Sequence, residues 1–114
     1  YACGLGTFGL NNLLITEKGC AGRFSSLVTT LPLPQRPRAD GQRCLEKARR
    51  ACGMCILRCP AGALSRDGFD RIKCWRYLVR QNDISREHGF PVVNVCGKCS
   101  TGVPCATVDR DNGA

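Results

Sequence analysis

Ten cysteines in 114 residues carry the most obvious chemistry in this chain, and their spacing narrows what that chemistry is. Three lie in the run Cys52-x2-Cys55-x3-Cys59-Pro60, with Cys44 upstream of it. Three more form Cys96-x2-Cys99-x5-Cys105, and Cys74 stands alone between the groups. A Cys-x2-Cys step lets two thiolates from one turn of chain reach one metal centre while nearby amides point at the sulfurs. The step occurs twice, and Cys59 precedes a proline, which needs no amide hydrogen and can open a following helix. These features point to iron–sulfur ligation. Paired Cys-x2-Cys steps also build zinc ribbons, but the three-cysteine run ending in Cys59-Pro60 and the eight candidate ligands weigh against that alternative. A disulfide framework fits less well, because cysteines this close in sequence seldom bridge and no export signal implies an oxidising compartment. Cys3 and Cys20 fall outside the set and are expected to be ordinary small apolar residues.

The elements that must hold these cysteines are modest. Residues 4 to 34 are poor in charge. Asn12 to Thr16, the turn signal Glu17-Lys18-Gly19 and a second run from Phe24 to Thr30 predict a β-hairpin. The segment Leu31-Pro32-Leu33-Pro34-Gln35-Arg36-Pro37-Arg38 is too proline-rich for a helix or central strand, and marks a stiff linker and boundary. Asp40 is placed to cap a helix reaching about Ala51, with Cys44, Ala48, Ala51 and Cys52 on one face. A second helix is predicted after Asp70, with Ile72, Trp75, Leu78 and Val79 as its apolar stripe, Cys74 beside it, and Trp75 and Tyr77 packed in the core. Residues 82 to 95 read as a polar loop followed by a short strand from Pro91 to Val95.

The formal charge is +8, from 17 basic and 9 acidic residues. Such an excess ordinarily suggests an anionic partner, nucleic acid included. If eight cysteines are thiolates around two oxidised clusters, each about −2 with its ligands, the total falls to roughly +4. Much of the basic excess then balances the clusters, and nucleic acid is not an expected partner. No apolar run approaches the roughly 20 residues that span a bilayer, so no membrane segment is expected and the localisation reads as cytoplasmic. The chain starts at Tyr1 and enters a glycine-rich stretch at once, which reads as a fragment of a longer protein.

The stretch Cys59-Pro60-Ala61-Gly62-Ala63-Leu64 resembles the Cys-Pro-x-Gly-Ala-Ile segment of two-cluster bacterial ferredoxins. In that pattern the cysteine before the proline serves the other cluster. Carried over, the resemblance gives one 4Fe-4S cluster to Cys44, Cys52, Cys55 and Cys105, and the other to Cys59, Cys74, Cys96 and Cys99. The chain departs from the pattern at Arg49, where a first cysteine is expected and Cys44 must substitute, and at the x5 step before Cys105, which alanine follows instead of proline.

A second resemblance covers nearly the whole chain. Gly4-Leu5-Gly6-Thr7-Phe8-Gly9-Leu10-Asn11-Asn12-Leu13-Leu14-Ile15-Thr16, then Val28-Thr29-Thr30-Leu31-Pro32-Leu33, is similar to the segment that joins the corrinoid domain to the two-cluster domain in epoxyqueuosine reductases and reductive dehalogenases. Arg71-Ile72-Lys73-Cys74-Trp75-Arg76-Tyr77-Leu78 is similar to the lone-cysteine element of the queuosine enzymes. The resemblance implies that residues 1–38 are the remnant of a corrinoid-binding domain and that residues 39–114 are a ferredoxin-like domain. It implies a relay of electrons from a donor such as flavodoxin or ferredoxin, through two clusters, to a cobalamin held mainly by an upstream domain of the same polypeptide. Gly4, Gly6 and Gly9 would lie near that corrinoid, the alternative for all three being a packed turn. The parent would be an oxidoreductase, while this chain alone would not catalyse its reaction.

Gly4-x-Gly6-x-x-Gly9 also matches the dinucleotide fingerprint by letter, but lacks the preceding strand and the acid about 20 residues on. His88, the one histidine, reads as a solvated helix end. The basic cluster Arg36, Arg38, Arg43, Lys47, Arg49 and Arg50 reads as a solvated face that could receive an acidic donor. The expected architecture is therefore α+β: a small ferredoxin-like two-cluster domain behind an N-terminal β-hairpin segment. A free-standing two-cluster ferredoxin and a zinc-ribbon binding module are the alternative functions.

Overall fold

A computed structural model describes residues 1–34, 37–92 and 96–107. It is a small α+β structure with the order β1 (Gly6–Phe8), β2 (Leu14–Thr16), α1 (Leu45–Arg49), α2 (Met54–Leu57) and α3 (Arg71–Glu87). The strands pair antiparallel, Gly6 opposite Thr16, Thr7 opposite Ile15 and Phe8 opposite Leu14. The intervening loop closes through Gly9 N–H to the Leu13 carbonyl at 2.9 Å and Asn12 N–H to the Gly9 carbonyl at 3.1 Å. Asn12 sits at φ 60, the left-handed region that asparagine tolerates better than most residues. The Asn11 carboxamide oxygen accepts from Leu13 N–H at 3.3 Å, a local turn bond typical of asparagine.

The hairpin contains one expected strand, β2 within the run Asn12 to Thr16, but pairs it with a different partner from the one expected. The glycine-rich stretch supplies the first strand, and Phe24 to Thr30 supplies none. Gly6 explains part of the difference, since a methyl there would collide with the Ile15 carbonyl, so the close β1–β2 approach needs glycine. Phe24 to Thr30 finds no pairing strand among the described residues and stays exposed, with Val28 98 % accessible.

The chain leaving the hairpin turns back toward residues near its other end. Cys20 N–H donates to the Cys105 carbonyl at 2.8 Å and Ala21 N–H to the Ala106 carbonyl at 3.0 Å. Gly19 makes this possible: its φ is +96, and a methyl on it would strike the Ala106 backbone. The hydrophobic cluster that results joins Leu10, Ile15 and Cys20 of the N-terminal part to Cys44, Cys55, Leu64, Val103 and Ala106. The hairpin therefore shares its core with the cysteine-rich part, on either side of the proline-rich segment.

The helix expected from Asp40 starts later, at Leu45, with Cys44 as its N-cap residue. Gly41 at φ +72 breaks the earlier path. The Gln42 carboxamide oxygen then accepts from Cys44 N–H at 3.0 Å and from the Thr7 hydroxyl at 3.1 Å. Arg50 ends the helix in the left-handed region at φ 52, so Ala51 and Cys52 lie beyond it and the expected four-residue face does not form. α2 follows at once, opened by Gly53 at φ 103.

α3 begins as predicted. The Asp70 carboxylate accepts from the Ile72 and Lys73 amides at 3.0 and 2.9 Å, satisfying two of the donors a helix start leaves free. It runs on to Glu87, so residues 82–87 are helical and not loop. No glycine or proline interrupts it before Gly89, which ends it at φ +82. Phe90 N–H then reaches the Ser85 carbonyl at 2.9 Å and Gly89 N–H the Arg86 carbonyl at 3.0 Å, the paired bonds of a glycine helix stop. α3 buries no residue completely. Trp75, expected in the core, is 60 % exposed, with Ile72 and Val79 on the same open stripe; Tyr77 is half-buried. Pro91 and Val92 are not in a strand, and the remainder of the strand expected there lies outside the described residues. His88 caps the exposed helix end as expected.

Gly19→Ala is expected to cost about 2 kcal/mol or more, from the left-handed penalty and the contact with Ala106 together. Gly41→Ala, which has positive φ but open space around it, should cost about 1–2 kcal/mol. Denaturant unfolding of both variants beside the parent chain checks the order.

Candidate metal centres

Two cavities receive the cysteines. The first, about 160 Å³, is lined by Cys44, Cys52, Cys55 and Cys105 together with Leu10, Val103 and Glu46. The second, about 120 Å³, is lined by Cys59, Cys74, Cys96 and Cys99 together with Leu64, Phe69 and Tyr77. Each wall is mostly apolar, and each carries four thiols. Among the described residues, no three Cys, His, Asp or Glu side chains converge tightly enough to hold one metal ion. Four thiols line each cavity. A tetrahedral zinc with Zn–S of about 2.3 Å would draw four sulfurs to within about 4 Å of each other. A 4Fe-4S cube takes one cysteine at each iron corner, so its ligands stand further apart and surround a volume. An all-thiol donor set around an apolar cavity is chemistry that suits an iron–sulfur cluster.

Local structure explains how distant residues reach these walls. Cys44 caps α1, Cys52 follows the left-handed Arg50, and Cys55 lies in α2, so three thiols of the first set come from one compact stretch. Cys105 arrives from far along the chain, held by the backbone pairing with Cys20. Cys59 lies just past α2 and points into the other cavity. There the Ala63 amide donates to its sulfur at 3.3 Å. Cys74 comes from the first turn of α3, so the Asp70 cap helps to fix its position.

The electrostatics reflect the same grouping. Burial raises the Cys55 thiol above its ordinary value, Cys44 and Cys52 raise it further against a lowering backbone hydrogen bond, and Cys99 of the other set adds least. Burial raises Cys74, with Cys59 and Cys96 adding to it. Burial likewise raises Cys99 against a lowering backbone hydrogen bond, and Cys59, Cys96 and Cys74 reinforce the rise. Cys105 is pushed up to about 12, by burial first and then by Cys20, Cys44 and Cys55. Crowded buried thiols resist ionising unless a cation compensates them.

Two residues at these sites were not singled out from the sequence. Glu46 is buried, accepts from Cys52 N–H at 3.0 Å and pairs with Arg66 at 2.9 Å. Its place in a charged helix gave no sign of this, because Arg66 is distant in sequence. Asn11 is 5 % exposed; its side-chain nitrogen donates to the Cys99 carbonyl at 2.8 Å and lies 3.8 Å from the Cys20 sulfur. It joins the hairpin loop to both cysteine regions. Cys20 is buried as expected of a small apolar residue, but its sulfur is 3.7 Å from that of Cys105; Cys3 is exposed.

Of the three glycines, Gly6 packs against the Ile15 backbone and Gly9 against the Asn11 and Ile15 side chains, where a packed turn accounts for them. Gly4, at φ 70, borders an open depression of about 200 Å³ with Leu5, Thr16, Glu17 and Lys18. No helix follows Gly9, as a dinucleotide fingerprint would require. The basic cluster is partly engaged locally: Lys47 donates to the Phe8 carbonyl at 3.0 Å, Arg38 lies 5.3 Å over the Tyr1 ring, and Arg43 is 3.6 Å from Glu17. Arg36 lies outside the described residues. Among the described residues, no helix is long and apolar enough to cross a membrane.

The raised thiols make a pH prediction for the metal-free chain. Their folded values lie above the ordinary 9.0, so this contribution is fully present below about pH 9 and is lost as pH rises toward the folded values. The urea midpoint of the metal-free chain should therefore fall between about pH 8 and pH 10.5; a midpoint that rises over that interval contradicts the burial of these groups. No family model, curated protein or solved structure matches the chain, which leaves the two thiol-lined cavities as its clearest functional feature.

Proposed function

We propose that this chain is an iron–sulfur electron-transfer module carrying two 4Fe-4S clusters. One is held by Cys44, Cys52, Cys55 and Cys105, and the other by Cys59, Cys74, Cys96 and Cys99. The observation that carries the reading is the presence of four thiols around each of two largely apolar cavities. Cys55 and Cys59 lie one turn apart yet serve different cavities, which is the crossed use of a Cys-x2-Cys-x3-Cys-Pro run in two-cluster ferredoxins. On this reading the domain is ferredoxin-like in how it arranges its ligands.

When bound, each cluster supplies one-electron storage at a potential set by its surroundings. The chain's own residues supply those surroundings. Leu10 and Val103 at one cavity, and Leu64 and Phe69 at the other, exclude water. The Ala63 amide supplies a hydrogen bond to the Cys59 sulfur. Glu46 occupies the Cys52 amide and pairs its own charge with Arg66. In the parent protein the relay would run from a flavodoxin or ferredoxin to a corrinoid held largely by another domain of an oxidoreductase related to epoxyqueuosine reductases. Catalysis would belong to that parent.

Iron counts on serine variants test the crossed assignment. After anaerobic reconstitution the parent chain should hold about eight iron, and Cys55→Ser and Cys59→Ser about four each. The double variant should hold almost none. A double variant that keeps about four iron would place both cysteines on one cluster and contradict the proposed ligand sets.

A further inference from the structure

We infer that Cys20, outside both ligand sets, is a positioning residue that tunes the centre in the first cavity by donating its S–H to the sulfur of Cys105. This rests on the proposed ligation of a cluster by Cys44, Cys52, Cys55 and Cys105. The Cys20 and Cys105 sulfurs are 3.7 Å apart, and once Cys105 is a ligating thiolate it carries no hydrogen and can only accept from Cys20. Their backbones are locked together by Cys20 N–H to the Cys105 carbonyl at 2.8 Å and by the adjacent bond from Ala21 to Ala106 at 3.0 Å. The paired main chain holds the two Cα positions side by side, which keeps the sulfurs within reach of each other.

Asn11 sets the direction of the donation. Its oxygen accepts from Leu13 N–H at 3.3 Å, and its nitrogen donates to the Cys99 carbonyl at 2.8 Å. These two bonds fix which end of the carboxamide faces inward. The nitrogen is then 3.8 Å from the Cys20 sulfur as a donor. A sulfur that receives a hydrogen from Asn11 has its own hydrogen free to point elsewhere, and the neighbour in reach is Cys105. Cys20 and Asn11 are 4 % and 5 % exposed, so water does not compete readily for either contact. A hydrogen bond to a ligating sulfur withdraws negative charge and favours the more negative, reduced form of a cluster, which raises its potential.

The test is a potentiometric titration followed by electron paramagnetic resonance on the anaerobically reconstituted parent chain, Cys20→Ala and Cys20→Ser, with iron counted on the same samples. All three are expected to hold the same iron. Cys20→Ala should shift one of the two midpoint potentials downward and leave the other in place. Cys20→Ser keeps a donor at the same position and should return the shifted potential to the parent value or above it. Unchanged potentials in Cys20→Ala at full iron content would overturn the inference. Loss of about half the iron in both variants would overturn it too, because Cys20 would then be a ligand. A parent chain that takes up no iron overturns the cluster reading itself, and that failure shows before any variant is made.

Discussion

The backbone pairing of Cys20 and Ala21 with Cys105 and Ala106 is the constraint on which the rest of the structure depends. Without it the first cavity has three thiols from one short stretch and no fourth. With it, a segment near one end of the chain is held against the hairpin near the other, and Cys105 meets Cys44, Cys52 and Cys55. Gly19 permits the approach, and Asn11 repeats the connection through its bond to Cys99. The N-terminal hairpin is therefore part of the cysteine scaffold.

Among the described residues little else would hold such a scaffold. Among the described residues Ile15 is the largest side chain that is fully buried, and cysteines supply much of the remaining core. α1 and α2 are only five and four residues long, too short to be stable alone. α3 is long but leaves its apolar stripe open. A domain with so small an apolar core gains from cross-links at its centre. On the proposed reading, two clusters provide them, and metal binding contributes directly to folding. The same reading gives the basic excess a purpose, since two clusters with their thiolates offset about half of it.

The cysteine spacings carried most of what could be read without coordinates. The Cys59-Pro60 step suggested crossed use of neighbouring cysteines; in the fold Cys55 lines the first cavity and Cys59 the second. Asp70 was legible as a cap because a short acidic side chain before an amphipathic run has one obvious use. The misplaced strand had a physical cause: β-prone residues from Phe24 to Thr30 need a partner, whereas the glycine stretch already had one in Ile15 and its neighbours. The end of α3 was missed because a polar run resembles a loop until Gly89 is recognised as the helix stop. Glu46, Asn11 and the Cys20–Cys105 contact were invisible for a shared reason. Each depends on a partner brought near by the fold, and local pattern holds no trace of it.

Iron, acid-labile sulfide and zinc, all measured on one anaerobically purified sample of the chain, separate an electron carrier from a structural metal module. Two 4Fe-4S clusters give near eight iron and eight sulfide per chain with little zinc. About two zinc and no sulfide, persisting after anaerobic reconstitution with iron and sulfide, would contradict the cluster reading and leave a structural metal module in place of an electron carrier.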